Sequence, residues 1–203
     1  MFDAQLRGVL DAPLKRAAAA IDKGWVTPDR LTTAGLTLGL ASAGAAALQW
    51  WWLALAMWLT SRLADGLDGP LARRRGTKSG AGGFYDITAD FIVYGSTVVG
   101  VSLGVAAAYD APQWPFLLVL LAYYVNGAAF LAFSSIAERY GKTLDDGRSL
   151  SFLGGLAEGT ETIVVHSLWL VFPMFGWQIA LVWAVIVGVS AAHRVYAGYR
   201  SLR

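Results

Sequence analysis

"DGLDGPLARRRGTKSGAGGFYDITAD", residues 65–90, places four aspartates and four basic residues between two apolar runs. Asp65 and Asp68 are three apart, and Asp86 and Asp90 are four apart. On helices, each pair shares one face. Two antiparallel helices joined by a short connection would turn those faces toward each other. Four like charges converging in a low-dielectric region repel strongly, and divalent cations neutralise them. All-oxygen carboxylate ligands favour a hard ion, Mg²⁺ or Mn²⁺. Carboxylates on two facing helices predict two ions close together, an arrangement suited to displacement at phosphorus.

The rest of the chain says why the helices would be membrane helices. Of 203 residues, 56% are hydrophobic and 15% charged, against about 25% charged in soluble domains. The apolar residues fall into runs of roughly 20, the length a helix needs to cross hydrocarbon. The expected fold is an all-α integral membrane protein with six transmembrane helices, over about residues 31–49, 51–73, 81–108, 114–138, 150–171 and 176–196. An amphipathic interfacial helix precedes them. In residues 1–24, Phe2, Leu6, Val9, Leu10, Pro13, Leu14, Ala17 and Ile21 recur at helical spacing, with Arg7, Asp11, Lys15 and Arg16 between them. Interleaved charge suits a helix in the headgroup region rather than a cleaved leader. Residues 25–203 form the membrane domain, opened by "VTPDRLT" with Thr27 as cap and Pro28 in the first turn.

Charge placement gives the expected orientation. Lys and Arg total 16. They lie before the first span, around residues 62–78, at Arg139, Lys142 and Arg148, and at Arg194, Arg200 and Arg203. The connections near "QWWW", "YDAPQWP" and "FPMFGW" contain none and are rich in Trp. The positive-inside rule then puts both termini and residues 65–90 on the cytoplasmic side of the inner membrane, with an aromatic belt opposite. Of 14 acidic residues, only Asp110 falls on the outer side. The basic balance therefore reflects topology and anionic lipid rather than nucleic acid. There is no cysteine, which excludes disulfides and thiolate chemistry.

Between the aspartates, Gly69 lets a ligand approach the backbone, Ala72 keeps the helix surface low, and Arg73 offers a planar fork to phosphate. Pro70 interrupts the helical ladder. Gly76, Gly80, Gly82 and Gly83 predict a pliable connection. "GAGG" is not a dinucleotide fingerprint, because no strand precedes it.

The spacing D-x2-D-G-x2-A-R-x8-G-x3-D-x3-D, carried by Asp65, Asp68, Gly69, Ala72, Arg73, Gly82, Asp86 and Asp90, resembles the signature of the CDP-alcohol phosphatidyltransferase family at every position. That resemblance implies six membrane helices, a site open to the cytoplasm and a homodimer. It implies Mg²⁺ (or Mn²⁺), a CDP-diacylglycerol donor and a small polar alcohol as acceptor, with release of CMP. It assigns Asp65, Asp68, Asp86 and Asp90 to the metal ions, and Asp65, Asp68, Gly69, Ala72, Arg73 and Gly82 to the CDP group. Asp90 becomes the general base on the acceptor hydroxyl.

The acceptor stays open. "ADFIVYGSTVVG" is similar to a segment of bacterial phosphatidylserine synthases, without their Ser–Phe pair. "GGLAEGTET", residues 154–162, resembles a segment of choline- and ethanolaminephosphotransferases. "DGLDGPLARR", "FLAF" and "EGTET" together are similar to a bacterial branch of the family. Glu158 and Glu161 suit an acceptor ammonium; Lys142, Arg148 and Arg194 suit an acceptor phosphate. All five are equally explained as membrane-edge pairs and anchors. His166 and His193 read as polar packing residues. Two alternatives accompany this reading. One is a CDP-amino-alcohol transferase that uses diacylglycerol as acceptor. The other is a cation or proton transporter, which would need polar groups continuing outward. The outer halves "ASAGAAAL", "FLLVLL" and "SLWLVF" supply almost none.

Overall fold

The computed structural model of the chain describes residues 2–141 and 159–203. All regular structure among them is helical: α1 (Phe2–Ala20), α2 (Pro28–Ala47), α3 (Trp51–Arg75), α4 (Gly80–Tyr109), α5 (Trp114–Arg139), α6 (Gly159–Val171) and α7 (Gly176–Leu202), with a 3-10 turn over Pro173–Phe175. Gly80–Tyr109, Trp114–Arg139 and Pro173–Leu202 are long and apolar enough to cross a membrane. α3 falls short of that standard because its second half carries the charges of "DGLDGPLARRR". Leu103, Leu117, Leu121, Val185 and Val189 of α4, α5 and α7 face outward and exposed, as a lipid-contacting surface requires.

The helix ends follow from local chemistry. Thr27 caps α2: its hydroxyl accepts the Arg30 N–H at 3.2 Å, and Pro28 occupies the first turn. α3 ends at Gly76, whose φ of 65° is left-handed. Ser79 caps α4 by accepting from the Gly82 N–H at 3.1 Å. The connection is thus confined to residues 76–79, tighter than the four glycines predict. Gly80, Gly82 and Gly83 belong to the first turn of α4. Nor does Pro70 break α3, which runs continuously through it.

α2 packs against both α3 and α4 and joins them through a face of small residues. Gly35, Gly39, Ser42, Ala43 and Ala46 of α2 are buried. A Cβ on Gly35 would lie 3.2 Å from the Ser61 carbonyl, and one on Gly39 would lie 2.6 Å from Val93. Gly100 and Gly104 of α4 would carry their Cβ atoms 2.2 and 2.1 Å from the carbonyl oxygens of Ala43 and Ala46. Such spacing at i and i+4 is the small-xxx-small mode of membrane helix packing. Gly104→Val is therefore expected to force α2 and α4 apart at a cost of about 1–3 kcal/mol. A thermal melt in detergent reads this as a drop of roughly 2–4 °C per kcal/mol. Gly188→Val, where nothing lies within 4 Å, should leave the melting temperature unchanged; equal drops would remove the packing argument.

α5 packs along α7, and α6 closes against α3. The core between them is aromatic, with Trp58, Phe116 and Trp169 fully buried beside Val101, Val119 and Val187. His166 belongs to this core. Its Nε2 lies 2.9 Å from the Tyr123 hydroxyl, which accepts the Trp183 indole N–H at 2.7 Å. His193 is exposed on α7. Trp50, Trp52 and Trp114 are exposed at the end of the bundle away from the aspartates.

α1 docks on the aspartate-bearing end. Leu14, Ala17, Ala18 and Ile21 pack against Leu67 and Leu71 of α3, with Val26 and Leu31. Asp22 secures the turn that follows. It accepts Arg74 Nε at 2.8 Å and Arg75 Nε at 2.7 Å, while Arg75 also donates to the carbonyls of Val26 and Lys23. The hydrogen bonds from Arg74 and then Arg75 hold the Asp22 carboxyl below its ordinary value. This clasp is therefore in force above the usual carboxylate range and is lost only as pH falls through the lowered value.

Candidate active site

Helical rise sets the levels of the site. α3 and α4 run antiparallel, so Asp68 near the end of one meets Asp86 near the start of the other. Asp65 and Asp90 each lie about one turn, ~5 Å, deeper. Carboxylate oxygens of Asp65, Asp68 and Asp86 lie within 4.8 Å of one another. Asp68 is buried at 7% exposure, and its Oδ2 accepts the Thr32 hydroxyl of α2 at 2.6 Å. Asp65 and Asp86 are half-buried. Three converging, partly desolvated carboxylates form a hard-oxygen donor set, which fits a divalent cation.

Asp90 lies beside this group and is paired with Arg62. Its Oδ1 accepts Arg62 Nη1 at 2.6 Å, and the same nitrogen lies 3.6 Å from Asp65 Oδ2. The physical reason is depth. Arg62 sits one turn below Asp65, at the level where Asp90 enters, and a buried guanidinium requires an anion. Arg62 and Thr32 are the partners that motif spacing alone does not pick out. Their signal is a polar side chain inside an apolar run, three residues before Asp65 in "TSRLAD" and five after the Thr27 cap of α2.

The motif's other residues lie around the carboxylates. Arg73 is exposed, and a Cβ on Gly69 would lie 3.3 Å from its Nη1. A side chain at Gly69 would thus displace the guanidinium. Arg74 and Arg75 are committed to Asp22, so Arg73 is the member of "RRR" facing the site's own helix. Ala72 is half-buried beside it. At Gly82 a Cβ would lie 3.3 Å from Ser79 Oγ and 3.7 Å from Asp29 Oδ1. The Thr33 and Tyr85 hydroxyls, 2.9 Å apart, tie α2 to α4 at this level.

Of the acceptor candidates, Glu161 opens α6 and Arg194 is buried on α7 with its guanidinium 5.7 Å from the Phe130 ring of α5. Lys142, Arg148 and Glu158 lie outside the described residues.

Carboxylates gathered at one end of a bundle of apolar helices, with an arginine alongside, mark a membrane-embedded enzyme acting on phosphate-bearing substrates. Residues 25–190 match the CDP-alcohol phosphatidyltransferase family; the chain belongs to it, and its activity is phosphatidyl transfer from a CDP-linked donor onto an alcohol. The transporter alternative has no support. The chain is 36% identical to the Escherichia coli inner membrane protein YnjF, over 100% of this chain and 98% of that one. It is 27% identical to archaetidylinositol phosphate synthase of Pyrococcus horikoshii, over 98% and 97%. The Mycobacterium tuberculosis phosphatidylinositol phosphate synthase PgsA1, solved with CDP-DAG bound, shares the fold with a TM-score of 0.67 at 22% identity, over 93% and 92% of the chains. The same protein was also solved with manganese and citrate, again at a TM-score of 0.67.

Proposed function

We propose that this enzyme moves the phosphatidyl group of CDP-diacylglycerol to the hydroxyl of a small polar alcohol and releases CMP. The observation that carries the reading is the convergence of Asp65, Asp68 and Asp86 from two helices to within 4.8 Å. On this reading α2 to α5, the helix ending at Val171 and α7 are six spans, and residues 1–24 lie in the cytoplasmic headgroup region of the inner membrane. Both termini and the site then face the cytoplasm, where a lipid-borne pyrophosphate and a soluble alcohol can meet. The molecule works as a homodimer.

Asp65, Asp68, Asp86 and Asp90 hold the cations, two Mg²⁺ or Mn²⁺. When bound, these offset negative charge on the pyrophosphate and on the departing CMP. Arg73 receives a phosphate oxygen of the donor, with Gly69, Ala72 and Gly82 leaving the surface low enough for the CDP group to lie against it. Asp90 accepts the proton of the acceptor hydroxyl. The acceptor oxygen bonds to the lipid-bearing phosphorus. The bond from that phosphorus to the CMP oxygen breaks, and CMP leaves with the electron pair. Glu161 and Arg194, with Glu158, Lys142 and Arg148, are the residues assigned to the acceptor. Two relatives are synthases of inositol phosphate lipids, which supports a phosphorylated acceptor.

The test is CMP release by purified protein with Mg²⁺ and CDP-diacylglycerol. The acceptor panel is inositol phosphate, glycerol-3-phosphate, serine and amino-alcohols. Release that requires both the cation and one acceptor class is the expected result. Release from CDP-ethanolamine or CDP-choline with diacylglycerol would instead establish the amino-alcohol transferase. No release with any CDP-linked donor would refute the reading.

A further inference from the structure

We propose that Arg62 is a positioning residue for the transfer. It is a buried, immobilised cation that holds one oxygen of Asp90 and so aims the other at the acceptor hydroxyl. The inference rests on the reading of Asp90 as the base.

The Arg62 side chain is 5% exposed, while that of Asp90 is 32% exposed. The pair is therefore asymmetric: its cation is sealed in the bundle and its anion reaches the site. Nη1 donates to Asp90 Oδ1 at 2.6 Å, leaving Oδ2 outside that bond. Nη2 donates to Ser61 Oγ at 3.0 Å, and the Ser61 hydroxyl donates to the Gly35 carbonyl of α2 at 2.6 Å. The Trp58 and Tyr94 rings lie 5.2 and 5.1 Å from the guanidinium carbon, within cation–π range. Trp58 is itself fixed, its indole N–H donating to Ser167 Oγ of α6 at 3.2 Å. Groups from α2, α3 and α4 thus hold one planar fork in place, and α6 steadies them.

A pair that only fastened α3 to α4 would not need this. Replacing a buried ion pair by well-packed apolar side chains is commonly neutral or stabilising, and this bundle already closes through Gly100 and Gly104. A desolvated arginine beneath four carboxylates is costly to keep, and a proton acceptor must be held in a narrow range of geometry. Lysine could supply the charge but not the fork, since a single ammonium cannot span Asp90 and Ser61 in fixed directions.

The experiment compares Arg62→Lys, Asp90→Asn and the double variant in purified protein. It measures kcat, donor and acceptor KM, melting temperature, and Mn²⁺ binding by electron paramagnetic resonance without substrate. For Arg62→Lys the expected result is a fall in kcat of about 100-fold, the scale of a 1 Å misplacement. KM, Mn²⁺ affinity and melting temperature should stay unchanged. In the double variant, activity should fall no further than in Asp90→Asn alone, because Arg62 acts through Asp90. Unchanged kcat in Arg62→Lys would overturn the proposal. So would losses that multiply in the double variant, or a fall in kcat that tracks lost Mn²⁺ affinity or melting temperature. Near-normal turnover by Asp90→Asn overturns the base reading instead, so the two failures are distinct. If Arg62→Lys does not insert, Ser61→Ala carries the same test. It frees Nη2 and keeps the ion pair, and it should lower kcat with KM and Mn²⁺ binding unchanged.

Discussion

Asp90→Asn is expected to lower CMP release by about 10²- to 10⁴-fold, the usual worth of a general acid–base group, while the protein still inserts and melts cooperatively. Asparagine has the same shape, and its carbonyl oxygen can still accept from Arg62 Nη1, which lies 2.6 Å from the carboxylate it replaces. What the amide lacks is a lone pair basic enough to take the acceptor's proton. The substitution therefore separates chemistry from architecture. Donor KM should change little, because Arg73 and the converging Asp65, Asp68 and Asp86 are untouched and the amide keeps an oxygen for the cation. Near-normal turnover by this variant would show that the proton leaves by another route.

The architecture was readable where the period of the apolar pattern decides it. As helices, the expected segments over 51–73, 81–108 and 114–138 correspond to Trp51–Arg75, Gly80–Tyr109 and Trp114–Arg139, the last two long and apolar enough to cross a membrane. Their ends are set by Trp-rich or charged connections that a helix cannot carry through hydrocarbon. Thr27 and Pro28 were readable for the same local reason. The fate of Asp90 was not. Asp86 and Asp90 share a face by spacing, yet Asp86 joins Asp65 and Asp68 while Asp90 turns to Arg62. That choice depends on the relative depth and rotation of α3 and α4. Those are set by how closely each packs on α2 at Gly35, Gly39, Gly100 and Gly104; the G-xxx-G spacing announces close packing but not which helix is the partner. Thr32 is a similar case. It is one hydroxyl among several in "RLTTAGLT", and only the seating of α2 against α3 brings it to Asp68.

Asp68→Asn is expected to reverse the order of stability between metal-free and metal-loaded protein, and to abolish turnover. Asp68 is the most buried of the three converging carboxylates, and Thr32 holds it in place at 2.6 Å. Without cations it faces Asp65 and Asp86 within 4.8 Å. Each like-charge pair at about 4 Å costs roughly 1–4 kcal/mol between water-like and protein-surface screening. Asparagine removes that repulsion and can still accept the Thr32 hydroxyl, so the variant should melt above the native protein in a chelator. With Mg²⁺ the order inverts. At a hundredfold excess over Kd, the native protein gains about 2.7 kcal/mol, or roughly 2–4 °C per kcal/mol for a chain of this size. The variant has lost a charged ligand and should gain almost nothing. Its Mn²⁺ affinity should fall by more than the roughly 10–100-fold that losing an outer-shell partner costs. A structural carboxylate behaves differently. If Asp68 served only to receive Thr32 and tie α2 to α3, the variant would melt lower in chelator and respond to Mg²⁺ as the native protein does. Crossing melting curves are thus the signature of a cation site, and parallel curves would dismiss it.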